Sequence, residues 1–373
     1  MPGMPLSPEI VRRITQLAST RRGDLYALCL TCKAFQREAE VRLYDALLFS
    51  EPQKAHQACR TIIEHERLAL LVHTFWFAQE SRRPLPLGQP FWLSIRSALN
   101  RMHNLECLVL FDSSFSNTWV FDPAQIRFQL REAKLRFTWD VPLVRFLEMQ
   151  PKLRLLATYD NLNDSMSVGL LPGRLPVLEV FDGTFMVGMQ LVHSPLTHMQ
   201  LIVDREHEVM EQVLDLLPQL SGVHKTLRGL SILDLPEELA SKSLRIISNA
   251  CPVLRHVGLI PFPVTNVRFF YFLTLEFIRP KISLRFQRHK IHDSLMRLHY
   301  LRSIQLDISR WNPPPGVPAQ RALAAELKVF CPTIKHVAFW IHGTRFRWHF
   351  SNDWRSQVDA HLYPQMDPMW NSA

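Results

Sequence analysis

A leucine-x-x-leucine-x-leucine segment that keeps returning constrains the fold more than any other feature of this chain. It reads Leu105, Leu108 and Leu110, then Leu153, Leu156 and Thr158, then Leu178 and Phe181, then Leu196, Met199 and Leu201. It continues as Leu227, Leu230 and Ile232, as Leu254, Val257 and Leu259, as Leu301, Ile304 and Leu306, and as Ile334, Val337 and Phe339. Weaker versions stand at Leu130 to Phe137 and Ile282 to Phe286. With these two included, the steps between Leu105 and Ile334 average about 25 residues, a period that marks stacked repeats. Alternation within each segment predicts a short strand, and stretches such as His207 to Leu217, Pro236 to Asn249 and Ala319 to Phe330 predict helices between them. One strand–helix unit cannot bury its own apolar face, so neighbours must stack into a curved α/β solenoid. The competing arrangement is an ordinary α/β domain with coincident spacing, since single steps vary from about 18 to 33 residues.

Ahead of the repeats, Leu6 to Leu48 predicts three short helices. Ser7 can cap the first, which starts at Pro8, where a missing N–H costs nothing. Ile10, Val11, Ile14, Leu17 and Ala18 then recur at helical spacing and leave Arg12, Arg13 and Gln16 on the wet side. Asp24 starts the second helix, with Leu25, Leu28 and Cys29. Thr31 caps the third, in which Phe35, Ala39 and Leu43 share a face. Three short helices bury too little apolar surface to stand alone, so this piece is expected to dock on something.

The order of residues in this stretch resembles the F-box, the module that ties substrate receptors to Skp–cullin ubiquitin ligases. The resemblance runs through Leu6, Pro8, Glu9, Ile10 and Ile14, then Asp24, Leu25 and Leu28. It continues through Cys32-Lys33-Ala34-Phe35 and ends at Leu43-Tyr44 and Leu47-Leu48. Fungal, basidiomycete-type F-box receptors commonly begin L-P-P-E-I-L; here Ser7 replaces the first proline and Val11 the leucine. The later segments resemble the leucine-rich repeats often found behind F-boxes. A proline precedes the first leucine position by two residues at Pro151, Pro176, Pro252 and Pro332, and by one at Pro195, with Cys251 and Cys331 ahead of two of them. The resemblance implies a small three-helix F-box module followed by a curved leucine-rich-repeat solenoid. It further implies a non-enzymatic receptor that docks on a Skp-type adaptor, and through it a cullin, while the repeats hold a target protein. Leu6, Pro8, Ile10, Ile14, Leu28 and Phe35 would form or support the adaptor surface.

The expected organisation is residues 1–50 for that module, 51–101 for a helical junction, 102–345 for the repeats and 346–373 for a cap or tail. The junction holds the amphipathic set Ala55, Ala58, Cys59, Ile62 and Ile63, a buried run RLALLVHTFWF and a proline-rich loop, Ser81 to Pro90. The N-terminus lacks the basic and apolar regions of a secretory signal, and the longest apolar runs, near Leu68 to Ala78 and Phe269 to Ile278, are too short to span a bilayer. Six cysteines without framework spacing suggest reduced thiols, hence a cytoplasmic or nuclear protein.

Catalytic signals are poor, and no cofactor or metal is expected. Gly183 to Gly188 has phosphate-loop spacing, but Met189 stands where a lysine is needed. No G-x-S-x-G occurs. Asp204 and Glu206-His207-Glu208 read as solvated helix-start charges rather than metal ligands. Cys29-x-x-Cys32 lacks the second ligand pair a structural zinc needs. His289 and His292 sit among Arg288, Lys290 and Arg297, a field hostile to a cation.

Two surfaces remain. The net charge is +9, and Arg268 to Arg297 carries seven Lys or Arg against Glu276 and Asp293. Arg279, Lys281, Arg285, Arg288 and Lys290 form its core, a basic patch open to nucleic acid or to an acidic protein segment. Arg345-Phe346-Arg347-Trp348-His349-Phe350 interleaves charge with rings that could stack on bases or close the core as a cap. On the concave face of a solenoid the residues alternating with buried leucines point outward, which here selects Tyr159, Asp182, His198, Gln200, His256, Gln305, Asp307, His336 and Trp340. Trp340 is the expected anchor for a protein target, with Tyr159 second.

Overall fold

The structure, a computed structural model, describes residues 6–79, 85–159, 168–203, 207–263 and 282–359. These hold twelve α-helices and thirteen strands in a mixed α/β arrangement. The chain divides into two compact units, residues 1–175 and 176–373.

The first unit opens with α1 (Pro8–Ala18), α2 (Arg22–Cys29) and α3 (Lys33–Asp45). Within these three helices the buried residues are Val11, Thr15, Leu25, Ala39 and Glu40, as few as their size dictates. Glu40 accepts a 2.6 Å bond from Arg67, and that guanidinium holds its carboxyl below the usual range. Thr31 does not cap α3. Its hydroxyl turns back to the Leu28 carbonyl at 2.8 Å, and Cys32 occupies the capping position. β1 (Ala46–Phe49), α4 (Pro52–Glu64), α5 (Glu66–Ala69), β2 (Thr74–Phe77), α6 (Gln89–Leu99), β3 (Cys107–Phe111), β4 (Glu132–Arg136), α7 (Val141–Glu148) and β5 (Leu155–Thr158) follow. All five strands pair in parallel in sequence order. The ladder therefore begins at Ala46, and β2 lies within the stretch expected to be a helical junction. The TFWF run explains this, because Phe75 and Phe77 alternate into the core like the leucines of later strands.

The second unit comprises β6 (Val180–Thr184), α8 (Phe185–Gln190), β7 (His198–Ile202), α9 (His207–Leu216), β8 (Gly229–Leu233), α10 (Glu237–Ala250) and β9 (His256–Pro261). It continues with α11 (Ile282–Leu295), β10 (Ser303–Asp307), α12 (Val317–Phe330), β11 (His336–Ile341), β12 (Thr344–Phe350) and β13 (Trp354–Asp359). Strands β6 to β11 pair in parallel, and β12 and β13 fold back antiparallel on β11. Ile282 to Phe286, a weak strand candidate, is instead the first turns of α11.

Leu105, Leu153, Leu178, Leu196, Leu227, Leu254, Leu301 and Ile334, the first position of each repeat, are all buried, as are the second positions from Leu108 to Val337. The Cys-Pro pairs have one role in both places: Cys251 donates its S–H to the Leu220 carbonyl and Cys331 to the Leu298 carbonyl, each reaching back one repeat. Leu259 departs from the pattern. It has a positive φ of 59° within a β-bulge, so that Ile260 takes the inward place opposite Leu306 while Leu259 crosses to the other face.

Candidate functional site

Helix α1 carries two apolar stripes side by side. Val11, Thr15 and Ala18 turn toward α2 and α3, whereas Ile10, Ile14 and Leu17 form a second stripe that is exposed, continued by Leu6. The set at helical spacing, Ile10, Val11, Ile14, Leu17 and Ala18, is thus divided between the two stripes. Ile10 keeps 48 % and Leu17 66 % of its surface in solvent. Of the residues expected at an adaptor contact, Leu6, Pro8, Ile10 and Ile14 lie on the surface, and Leu28 and Phe35 are half-buried. Exposed Tyr26 and Leu30 on and after α2 went unnoticed, since their spacing carries no repeat.

The outer sheet face of the second unit differs from expectation. Asp182, His198 and Asp307 are half-buried and His336 is exposed, but Gln200, His256, Gln305 and Trp340 are buried. Trp340, the expected anchor, is 2 % exposed and packs with Leu233 and Leu259, with Ile202 against the same cluster. Its indole N–H donates to Gln305 Oε1 at 3.1 Å. Gln200 donates to Asp182 Oδ1 at 3.1 Å, and His256 lies between Ser231 Oγ at 3.4 Å and Ser303 Oγ at 2.7 Å. A band of hydrogen-bonded polar groups thus crosses the strands, with an apolar cluster beside it. In the first unit Tyr159 is half-buried, edge-on to Phe111 at 5.5 Å.

The expected basic patch also changes character. Arg279 and Lys281 lie outside the described residues, and Arg285 falls within α11. Arg288 is buried, pairs with Glu326 and stacks over Phe262 at 4.9 Å, so burial pulls its pKa down. Lys290 is exposed. The rings of the 345–350 segment are likewise committed. Trp348 is buried with its N–H donated to Gln320, and Lys328 covers Phe350 at 4.1 Å. Base stacking has little left to use.

An unforeseen cationic cleft lies elsewhere in the second unit. The residue before each strand bonds its backbone N–H to the carbonyl of its predecessor: Arg228 to Thr197, Arg255 to Arg228, Arg302 to Arg255 and Lys335 to Arg302, at 2.7 to 2.8 Å. Two adjoining recesses of about 800 and 650 Å³ share Arg302 and His349. These cations stand directly after the first leucine position of their repeats, at Leu227, Leu254, Leu301 and Ile334, a place that the hydrophobic pattern leaves unmarked.

Gly188 is a helical glycine packed on β7, where a Cβ would meet Leu201 at 2.4 Å, so the phosphate-loop spacing reflects close packing. Asp204 and Glu206 lie outside the described residues; among the described ones no group of three or more His, Cys, Asp or Glu is placed to hold a metal. No helix among them is long and apolar enough to cross a membrane. No protein-family model matches the chain, and no curated protein matches it either.

Proposed function

We propose that this chain is the substrate-recognition subunit of a Skp–cullin–F-box ubiquitin ligase, with the N-terminal helices as an F-box module and the strand–helix units as a leucine-rich-repeat solenoid. The exposed apolar stripe Leu6, Ile10, Ile14 and Leu17 is the observation that supports this reading most. An apolar helix face left in water is costly unless a partner covers it, and the residue order of this stretch resembles the F-box. Catalysis in such a complex is positioning: the receptor raises the effective concentration of a substrate lysine near the charged enzyme and contributes no nucleophile.

The test is co-expression with a Skp-type adaptor and reciprocal pull-down, comparing wild type with Ile10→Glu/Ile14→Glu. Both side chains are exposed, so the variant should keep the wild-type circular dichroism and melting temperature while losing the adaptor. A well-folded wild type that captures no adaptor sinks the reading.

A further inference from the structure

The residues that precede the strands differ between the units in charge. In the first unit Glu106, Arg131 and Arg154 occupy this margin, and Arg131 is paired with Glu106 at 3.3 Å. In the second unit Glu179 and Thr197 hold this place before β6 and β7, and Arg228, Arg255, Arg302 and Lys335 then take it in succession before β8 to β11. Adjacent strands stand about 4.8 Å apart, so these like charges are near neighbours, an arrangement that destabilises a sheet unless an anion relieves it. None of the four forms an ion pair among the described residues, and neither does Arg355 on β13.

The two recesses open on this margin. Arg255, Arg302, Lys328 and Lys335 line the first and Arg302, Arg347 and Arg355 the second, with no Asp or Glu lining either. His336 and His349 face each other across them with Nδ1 atoms 3.2 Å apart. Partial burial, then the charge of His349, Lys335 and Arg347, lowers the His336 pKa, as a positive field requires.

We propose that this cleft binds a carboxylate-rich segment of a partner protein. The cations are strung along successive strands and onto the β12–β13 hairpin rather than gathered round one point, which matches several carboxylates spaced along an extended chain better than a single phosphate. Guanidinium and carboxylate pair bidentately, and Arg supplies most of the charge here. A nucleic acid would need a series of stackable rings along the cations; Trp348 and Trp354 are buried, and the exposed rings His299 and Tyr300 are confined to the first recess. The inference rests on the receptor reading only in taking the partner for a substrate. Binding itself is independent of the adaptor stripe.

Fluorescence anisotropy of the full chain against labelled probes tests it. The probes are a ten-residue Asp/Glu-rich peptide, its Asn/Gln counterpart, a peptide with one phosphoserine and a single-stranded DNA decamer. The expected result is selective, salt-sensitive binding of the acidic peptide. It should weaken tenfold or more in Arg302→Gln/Lys335→Gln, whose exposed side chains make no ion pair, so that the melting temperature does not fall, and stay unaltered in Lys290→Gln. Tighter binding of the DNA or the phosphoserine peptide overturns the proposal, as does equal binding of the neutral peptide. So does an equal loss in Lys290→Gln, which would reveal a diffuse field in place of a cleft. The Ile10→Glu/Ile14→Glu variant should bind the acidic peptide like wild type, so failure of the adaptor contact is read separately.

Discussion

Trp340 shows how far one residue's role depends on its surroundings. Alternation correctly places it opposite the buried Phe339 side, yet the second face is covered at that point by Leu233 and Leu259. Trp340→Ala should therefore cost about 3–5 kcal/mol of stability through the cavity and the lost indole N–H bond to Gln305. Denaturant unfolding would show this as a lower midpoint at unchanged slope, and a surface anchor would show almost none. His292 makes a second residue-scale case. Its ring stacks on Phe330 at 4.0 Å, and burial first, then Arg288 and His289, pushes its pKa down from 6.5 to about 4. Glu326 Oε1 lies 3.2 Å away, but that carboxylate is paired with Arg288 through Oε2, and Asp293 only partly opposes the shift. The unfolded chain thus takes up a proton near pH 6.5 that the folded chain refuses until about pH 4. Stability attributable to this group is full above that window and falls as pH drops through it, by up to about 3 kcal/mol. Denaturant curves between pH 7.5 and 4.5 should show a smaller acid loss in His292→Phe than in wild type.

At the scale of elements, the bulge in β9 governs the outer face. Gly258 is required there because a Cβ would stand 2.0 Å from Ser231 Oγ and 2.9 Å from Ser231 Cβ, the latter fixed by the backbone of β8. Gly258→Ala should force β8 and β9 apart, lowering the melting temperature and deprotecting the amides of Leu230 to Ile232 in hydrogen exchange. Helix α1 makes the complementary point. Its apolar arc is wider than a three-helix module can cover, which periodicity cannot reveal, because period alone does not say how much of an arc finds a neighbour. The leucine positions were legible for the opposite reason: strand pairing repeats the same inward environment at every step, so the same residue type recurs.

Across the whole molecule the six cysteines report on packing. Cys59 and Cys251 are buried, with thiols pushed up to about 12 by burial, and buried Cys331 is also raised. Cys32 is exposed, and the backbone N–H groups of Phe35 and Ala34 hold its thiol below the ordinary value. Native protein at pH 8 should thus react with a thiol reagent fastest at Cys32, with Cys59, Cys251 and Cys331 protected until denaturant is added. Early reaction at Cys251 or Cys331 would mean that the backward bonds to Leu220 and Leu298 do not hold.

What the sequence determined by itself was the alternation of strand and helix, the inward leucines from Leu105 to Ile334 and the helical character of Pro8 to Asp45, because these follow from local period and from environments that recur. Only the tertiary structure decided that Trp340 and His256 are buried, that Arg288 is paired, and that Arg255, Arg302 and Lys335 stand in a row. Those outcomes depend on which residues of distant strands become neighbours, and on one bulge at Leu259 that no local pattern announces.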